Sequence, residues 1–119
     1  MIYIPPQAQI FSIPIPIAAK SDIDDQVAVC KKTGLDPFSG NLFAFKDSEA
    51  TRIGALTYDG HGFYWCIKRF SSGKIAWWPS EDKVVQISSH DLQILLWGGD
   101  PKELNLPDMW RPLTPTENQ

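Results

Sequence analysis

Thr51-Arg52-Ile53-Gly54-Ala55-Leu56-Thr57-Tyr58-Asp59-Gly60-His61-Gly62-Phe63-Tyr64-Trp65-Cys66-Ile67-Lys68-Arg69-Phe70 is the stretch on which the reading of this chain turns. Two runs rich in β-branched and aromatic residues flank a short cluster of Asp, Gly and His. The spacing predicts a hairpin, with one strand from Thr51 to Tyr58, a turn at Gly60 or across Asp59-Gly60-His61-Gly62, and a second strand from Phe63 to Phe70. Upstream, Asn41 to Lys46 alternates with Phe43 and Phe45 on one face and reads as a preceding strand. It follows Asp36-Pro37-Phe38-Ser39-Gly40, a turn that Asp opens, Pro presets and Gly closes. Downstream, Ser71-Ser72-Gly73 turns the chain into a run from Lys74 to Trp78, and Val84 to Ile87 forms a shorter last run. The expected body is an antiparallel meander.

Two helices flank it. Ser21-Asp22-Ile23-Asp24 has capping-box spacing, Asp22, Asp24 and Asp25 suit the positive end of a helix dipole, and Lys31, Lys32 and Gly34 suit the other end. Ile23, Val27 and Cys30 then form a narrow apolar stripe. The second helix starts at Ser88, whose partner is Asp91, with Ile87 and Leu92 placed for a hydrophobic staple. Leu92, Leu95 and Leu96 give its buried face and Gly98-Gly99 its stop. Before the first helix, Pro5, Pro6, Pro14 and Pro16 exclude a helix, leaving an edge strand near Ala8 to Ser12 and an extended Ile-Pro arm expected to dock on the core. The organisation expected is an arm over residues 1–20, an α+β domain over 21–99 and an irregular, Pro-rich acidic tail over 100–119, pinned by Trp110.

With 119 residues, 43% of them hydrophobic and 21% charged, the chain has the size of one globular domain and is too apolar to be disordered. No run approaches the roughly 18 apolar residues of a membrane span, and no signal peptide is visible. Cys30 and Cys66 are too few for a disulfide scaffold, which makes a reducing cytoplasm the expected compartment. The net charge of −3 does not suggest a nonspecific phosphate binder. Its distribution is uneven: from Gly60 to Ser80 the only charged residues are Lys68, Arg69 and Lys74, whereas from His90 to Gln119 five acids (Asp91, Asp100, Glu103, Asp108, Glu117) face two bases (Lys102, Arg111).

The chemistry-bearing residues are sparse. His61 and His90 have no second ligand at metal spacing, Asp24 and Asp25 serve a helix start, Asp59 serves a turn, and Cys30 reads as core. The glycines around Asp59 are followed by a hairpin rather than a helix, so they make no phosphate cradle. No catalytic residue, metal, cofactor or small-molecule substrate is expected. The segment from Gly62 to Pro79 is different, because aromatics interleave with Lys68, Arg69 and Lys74. Aromatic side chains on strands stack bases while cations meet phosphates, so Tyr64, Lys68, Arg69, Lys74 and Trp77 are the candidate binding surface. The competing reading makes Phe63, Trp65 and Ile67 a core row, with Tyr64, Lys68 and Phe70 outside.

Taken in order, Asp36-Pro37-Phe38-Ser39-Gly40-Asn41-Leu42-Phe43-Ala44-Phe45, then Tyr58-Asp59-Gly60-His61-Gly62-Phe63 leading into Lys68-Arg69-Phe70 and Gly73-Lys74, then Trp78-Pro79, resemble the TnpB-type (Orf2-like) accessory protein of the insertion sequence 66 transposons. That family is unrelated to the RNA-guided nucleases sharing the name. The resemblance covers about Ser21 to Gly98, with Trp110-Arg111-Pro112 similar to the family's closing motif. It implies a small non-catalytic protein of transposition that acts beside a larger transposase, with transposase or transposon-end DNA as partner and no membrane. Lys68 and Arg69 match the family's basic pair. Two departures stand out: Ala19-Lys20-Ser21-Asp22 replaces the basic opening that the resemblance implies, and the chain is acidic, which lowers the number of phosphate contacts and flattens the salt dependence of any DNA binding. The expectation is therefore an α+β fold, a twisted antiparallel sheet of about five strands with one helix before and one after, both on one face. Its expected function is accessory binding of DNA, transposase or both; the alternative is a diverged protein–protein module without nucleic-acid affinity.

Overall fold

Leu42-Phe43-Ala44-Phe45 is apolar at every position, and all four side chains are buried. A strand of this kind needs cover on both of its faces, and that requirement organises the fold. The computed structural model describes residues 8–18 and 20–99, arranged as β1 (Ile10–Ser12), α1 (Ile23–Lys32), β2 (Leu42–Lys46), β3 (Arg52–Tyr58), β4 (Phe63–Arg69), β5 (Val85–Ile87) and α2 (Ser89–Leu96). The architecture is α+β, one five-stranded sheet in the order β4-β3-β2-β1-β5 with one helix before the meander and one after it. The acidic tail and its Trp110 lie outside the described residues.

The sheet is mixed rather than wholly antiparallel. β2, β3 and β4 form the expected meander, but β1 pairs parallel to β2, Ile10 opposite Leu42, and antiparallel to β5, Ile10 opposite Ile87. A parallel pair needs a long crossover, and α1 supplies it. β1 is thus an interior strand, not the expected edge strand: its three residues are free of proline, and Pro14 and Pro16 come after it. The arm continues along β2, with the Ile13 and Ile17 amides donating to the Ala44 and Lys46 carbonyls at 2.8 and 2.9 Å. Pro14 and Pro16 fall between these donors, where a missing N–H leaves that ladder intact.

Alternation along the strands separates two apolar clusters. Ile10, Leu42, Ala44, Ile53 and Ile87 pack with Leu92 and Leu95 of α2; Phe43, Phe45 and Leu56 pack with Cys30 of α1 and with Ile13 and Ile17 of the arm. The helices therefore cover opposite faces, a correction to the expectation of one face. The run from Lys74 to Trp78 is not a strand. Ile75, Trp77 and Trp78 all lie against the α2-side cluster, whereas strand alternation would send the two adjacent tryptophans to opposite faces.

Capping residues set the helix ends. Asp22, one residue later than expected, caps α1: the Asp25 amide donates to Asp22 Oδ1 at 3.2 Å and the Asp22 amide to Asp25 Oδ2 at 2.8 Å. Ser21 instead donates to the Ala18 carbonyl. Ser88 caps α2 as expected, accepting from the Asp91 amide at 3.0 Å. α2 ends in a Schellman motif, with Gly98 at φ +81° and the Gly98 and Gly99 amides donating to Leu95 and Ile94.

Candidate functional site

The candidate surface is built on β4, which lies at the edge of the sheet. Its entry is the turn at Asp59, whose Oδ1 accepts the amides of His61 and Gly62 at 2.9 and 3.0 Å while Gly60 adopts φ +102°. These two amides hold the Asp59 carboxyl below the usual carboxylate range. Asp59 is thereby engaged in the turn, and His61 contributes its backbone to it.

The register to β3 decides which way each β4 side chain points. Trp65 opposes Leu56, so Phe63, Trp65, Ile67 and Arg69 face the α1 side and Tyr64, Cys66 and Lys68 the α2 side. Phe63 and Trp65 pack into the α1-side cluster, and the Trp65 ring meets Phe45 edge-on at 5.5 Å while lying across Gly54. The core row thus begins as the competing reading has it. It does not extend to Ile67, which is 44% exposed, and Phe70 is not outside but packs against the α2-side cluster.

The five candidate residues divide. Tyr64, 50% exposed, and Lys68 share the α2 side of β4. Lys68 Nζ donates to the Leu96 carbonyl at the end of α2 and stands 5.3 Å over the Phe70 ring. It therefore serves as the basic group of a helix whose own last turn has none. Arg69 projects to the opposite side, across from Arg52, whose Nε is 3.3 Å from Asp47 Oδ2. Lys74 is exposed beyond the following turn, and Trp77 is half-buried against the α2-side cluster rather than presented as a stacking platform. Arg69 and Lys74 make no ion pair among the described residues, whereas Lys46 is paired to Glu81 at 3.2 Å.

Asp47 is a buried acid with a structural task. Burial raises its proton affinity, but the Thr51 hydroxyl, the Thr51 and Arg52 amides and the Arg52 guanidinium outweigh that and hold the carboxyl below its ordinary value. It ties the β2–β3 connection together, at 2.8 Å from Thr51 Oγ1 and the Thr51 amide. Burial pushes the Cys30 thiol up to about 12, so it carries little thiolate. Among the described residues no three His, Cys, Asp or Glu side chains gather as a metal site requires, and no helix is long and apolar enough to cross a membrane.

One aromatic cluster was not anticipated. Phe38, 50% exposed, meets Tyr58 and Phe63 at ring distances of 5.0 and 5.2 Å, with Lys31 Nζ 5.7 Å from its centroid. The available signal was Phe38 following Pro37 in a turn, a position where an aromatic has no turn-forming task.

The sequence profile of the IS66 Orf2-like proteins matches residues 9–105, from β1 through α2. The chain belongs to the IS66 Orf2-like family. Within the IS66 Orf2-like match lies β1, upstream of the Ser21 at which the motif resemblance begins. Two relatives come from Sinorhizobium fredii: the uncharacterized protein y4hO is 32% identical over 78 residues, and the uncharacterized protein y4jC is 27% identical over 77 residues. The chain spans 66% of the length of each, just under two thirds, and the aligned parts are 66% and 65% of this chain. No solved structure matches it. Membership of the IS66 Orf2-like family implies an accessory role associated with transposition.

Proposed function

We propose that this chain is a non-catalytic accessory protein of transposition that acts by binding the transposase through the surface of β4 and the turn after it, with Tyr64, Ile67, Arg69 and Lys74 as contact residues. The observation that carries this reading is the exposure of β4 from Cys66 to Arg69, together with Tyr64, in a strand of aromatic and aliphatic composition. Exposed large apolar groups rimmed by cations suit a protein surface better than a phosphate backbone. The net charge of −3 supports the same choice. Contact with transposon-end DNA is the second reading, favoured by Arg69 and Lys74, which make no ion pair among the described residues, and by the exposed Tyr64 ring on the other side of the strand.

The test titrates the purified full chain with the transposase of the same element, and with a labelled duplex of the terminal repeat against a scrambled control at about 50 and 200 mM salt. The expected result is transposase binding that the double variant R69E/K74E abolishes without lowering the melting temperature. Lys68 is left in place because it caps α2. Salt-sensitive preference for the terminal duplex, lost in the same variant, moves the reading to DNA. Full binding of both partners by R69E/K74E, or binding of neither by the wild type, refutes the surface.

A further inference from the structure

β4 is a seven-residue edge strand with no proline, and among the described residues no strand pairs with its outer side. The other edge, β5, has three residues. An edge of such length and apolarity pairs with another strand unless something blocks it. The hydrogen-bond parity with β3 tells which groups are offered. The Phe70 amide donates to Thr51, and at the other end the Asp59 amide donates to Gly62. In an antiparallel ladder bonded pairs alternate, so Tyr64, Cys66 and Lys68 spend their backbone groups on β3. The N–H and C=O of Phe63, Trp65, Ile67 and Arg69 then point outward.

We infer that the partner on this edge is a second copy of the chain, paired β4 to β4 antiparallel about a two-fold axis at Cys66. The argument is the strand's self-complementarity. Centred on Cys66, Phe63 lies opposite the partner's Arg69, and Trp65 opposite the partner's Ile67. These bonded pairs use every outward group of both strands. Tyr64 lies opposite the partner's Lys68, whose ammonium stays on its own Leu96 carbonyl, and no like charges oppose each other. Moving the axis to Trp65 draws His61 of the turn into the ladder, and moving it to Ile67 draws in Ser71; centring it on Lys68 opposes two lysines. The Cys66 register alone fits the strand's length, and it produces a continuous ten-stranded sheet whose two faces keep Tyr64, Arg69 and Lys74 accessible. This inference stands apart from the transposition reading, since it rests on the edge and not on what the faces bind.

The geometry makes the pairing testable through a residue with no other evident task. In this register Cys66 faces its own copy as a non-bonded pair, with Cα atoms about 4.5 Å apart, within the range a disulfide spans. Cys66 is exposed and Cys30 buried. The experiment is sedimentation of the full chain over a roughly hundredfold concentration range, with a parallel oxidation by diamide, which takes up the two thiol hydrogens as the S–S bond forms, read on a non-reducing gel. The expected result is twice the chain mass at the upper concentrations and a cross-linked dimer that C66S abolishes. I67P removes an outward N–H without touching the β3 ladder, and it should give monomers with the wild-type circular dichroism spectrum. A wild-type monomer throughout overturns the inference, as does a dimer that I67P leaves intact and Cys66 does not cross-link. A dimer that appears only after residues 100–119 are removed also overturns it, because the tail then occupies the edge.

Discussion

Replacing Gly54 with alanine puts a methyl carbon 2.3 Å from Cη2 of Trp65, and 2.8 and 2.9 Å from Cζ3 and Cζ2. The obstacle is the plane of an indole, which yields only as a unit. That indole is itself fixed edge-on against Phe45, a side chain with no exposure. If the ring stays, the overpacking costs about 1–3 kcal/mol; if it swings away, it forfeits an aromatic pair of about 0.5–1.5 kcal/mol along with part of its buried area. Against this, alanine gains about 0.4–1 kcal/mol by restricting the unfolded chain. The net expectation is a loss of about 1–2 kcal/mol, or a fall of about 5–10 °C in melting temperature for a domain of this size. Circular dichroism melts of G54A, W65L and the double variant measure it. The decisive quantity is the coupling: once the indole is gone, G54A should be neutral or mildly stabilising. Equal destabilisation by G54A with and without Trp65 would refute the packing argument.

Two further perturbations follow from the same geometry. Because folding holds the Asp47 carboxyl below its ordinary 3.8, the folded state binds that proton less readily than the unfolded state. Its stabilisation is therefore complete well above pH 3.8 and drains as the pH falls through that value and below. D47N should cost about 1–3 kcal/mol at neutral pH and flatten the acid side of the stability curve; an unchanged acid slope in urea melts would contradict this. K68M removes the cation at the α2 C-terminus and should cost about 0.3–1 kcal/mol at low ionic strength. Salt should narrow the difference, and identical melts of K68M and wild type in low salt would remove Lys68 from that role.

Local chemistry was legible wherever a few adjacent residues decide the outcome. Ser88 with Asp91, Gly98 at the helix stop and Asp59-Gly60 at the hairpin form as their side chains dictate, since each satisfies backbone groups within one turn. The α1 cap slipped by one residue because Ser21 and Asp22 are both competent, and only the reciprocal bond with Asp25 selects between them. The binding surface was legible only as a set of residue types. Alternation puts Arg69 on the side opposite Lys68, the end of α2 engages Lys68, and Trp77 turns inward.

The two helices with their caps, the turns at Asp59-Gly60 and Gly98 and the hairpin from β3 to β4 were determined by the sequence alone, because they depend on φ preferences, capping and period over neighbouring positions. The tertiary structure alone decided that β1 inserts between β2 and β5, that the helices take opposite faces, and that β4 is the edge strand of the sheet among the described residues. Period reports which residues share a face. It does not report which distant element covers that face, because that choice is made by long-range strand pairing and by the need of Leu42-Phe43-Ala44-Phe45 to be buried on both sides.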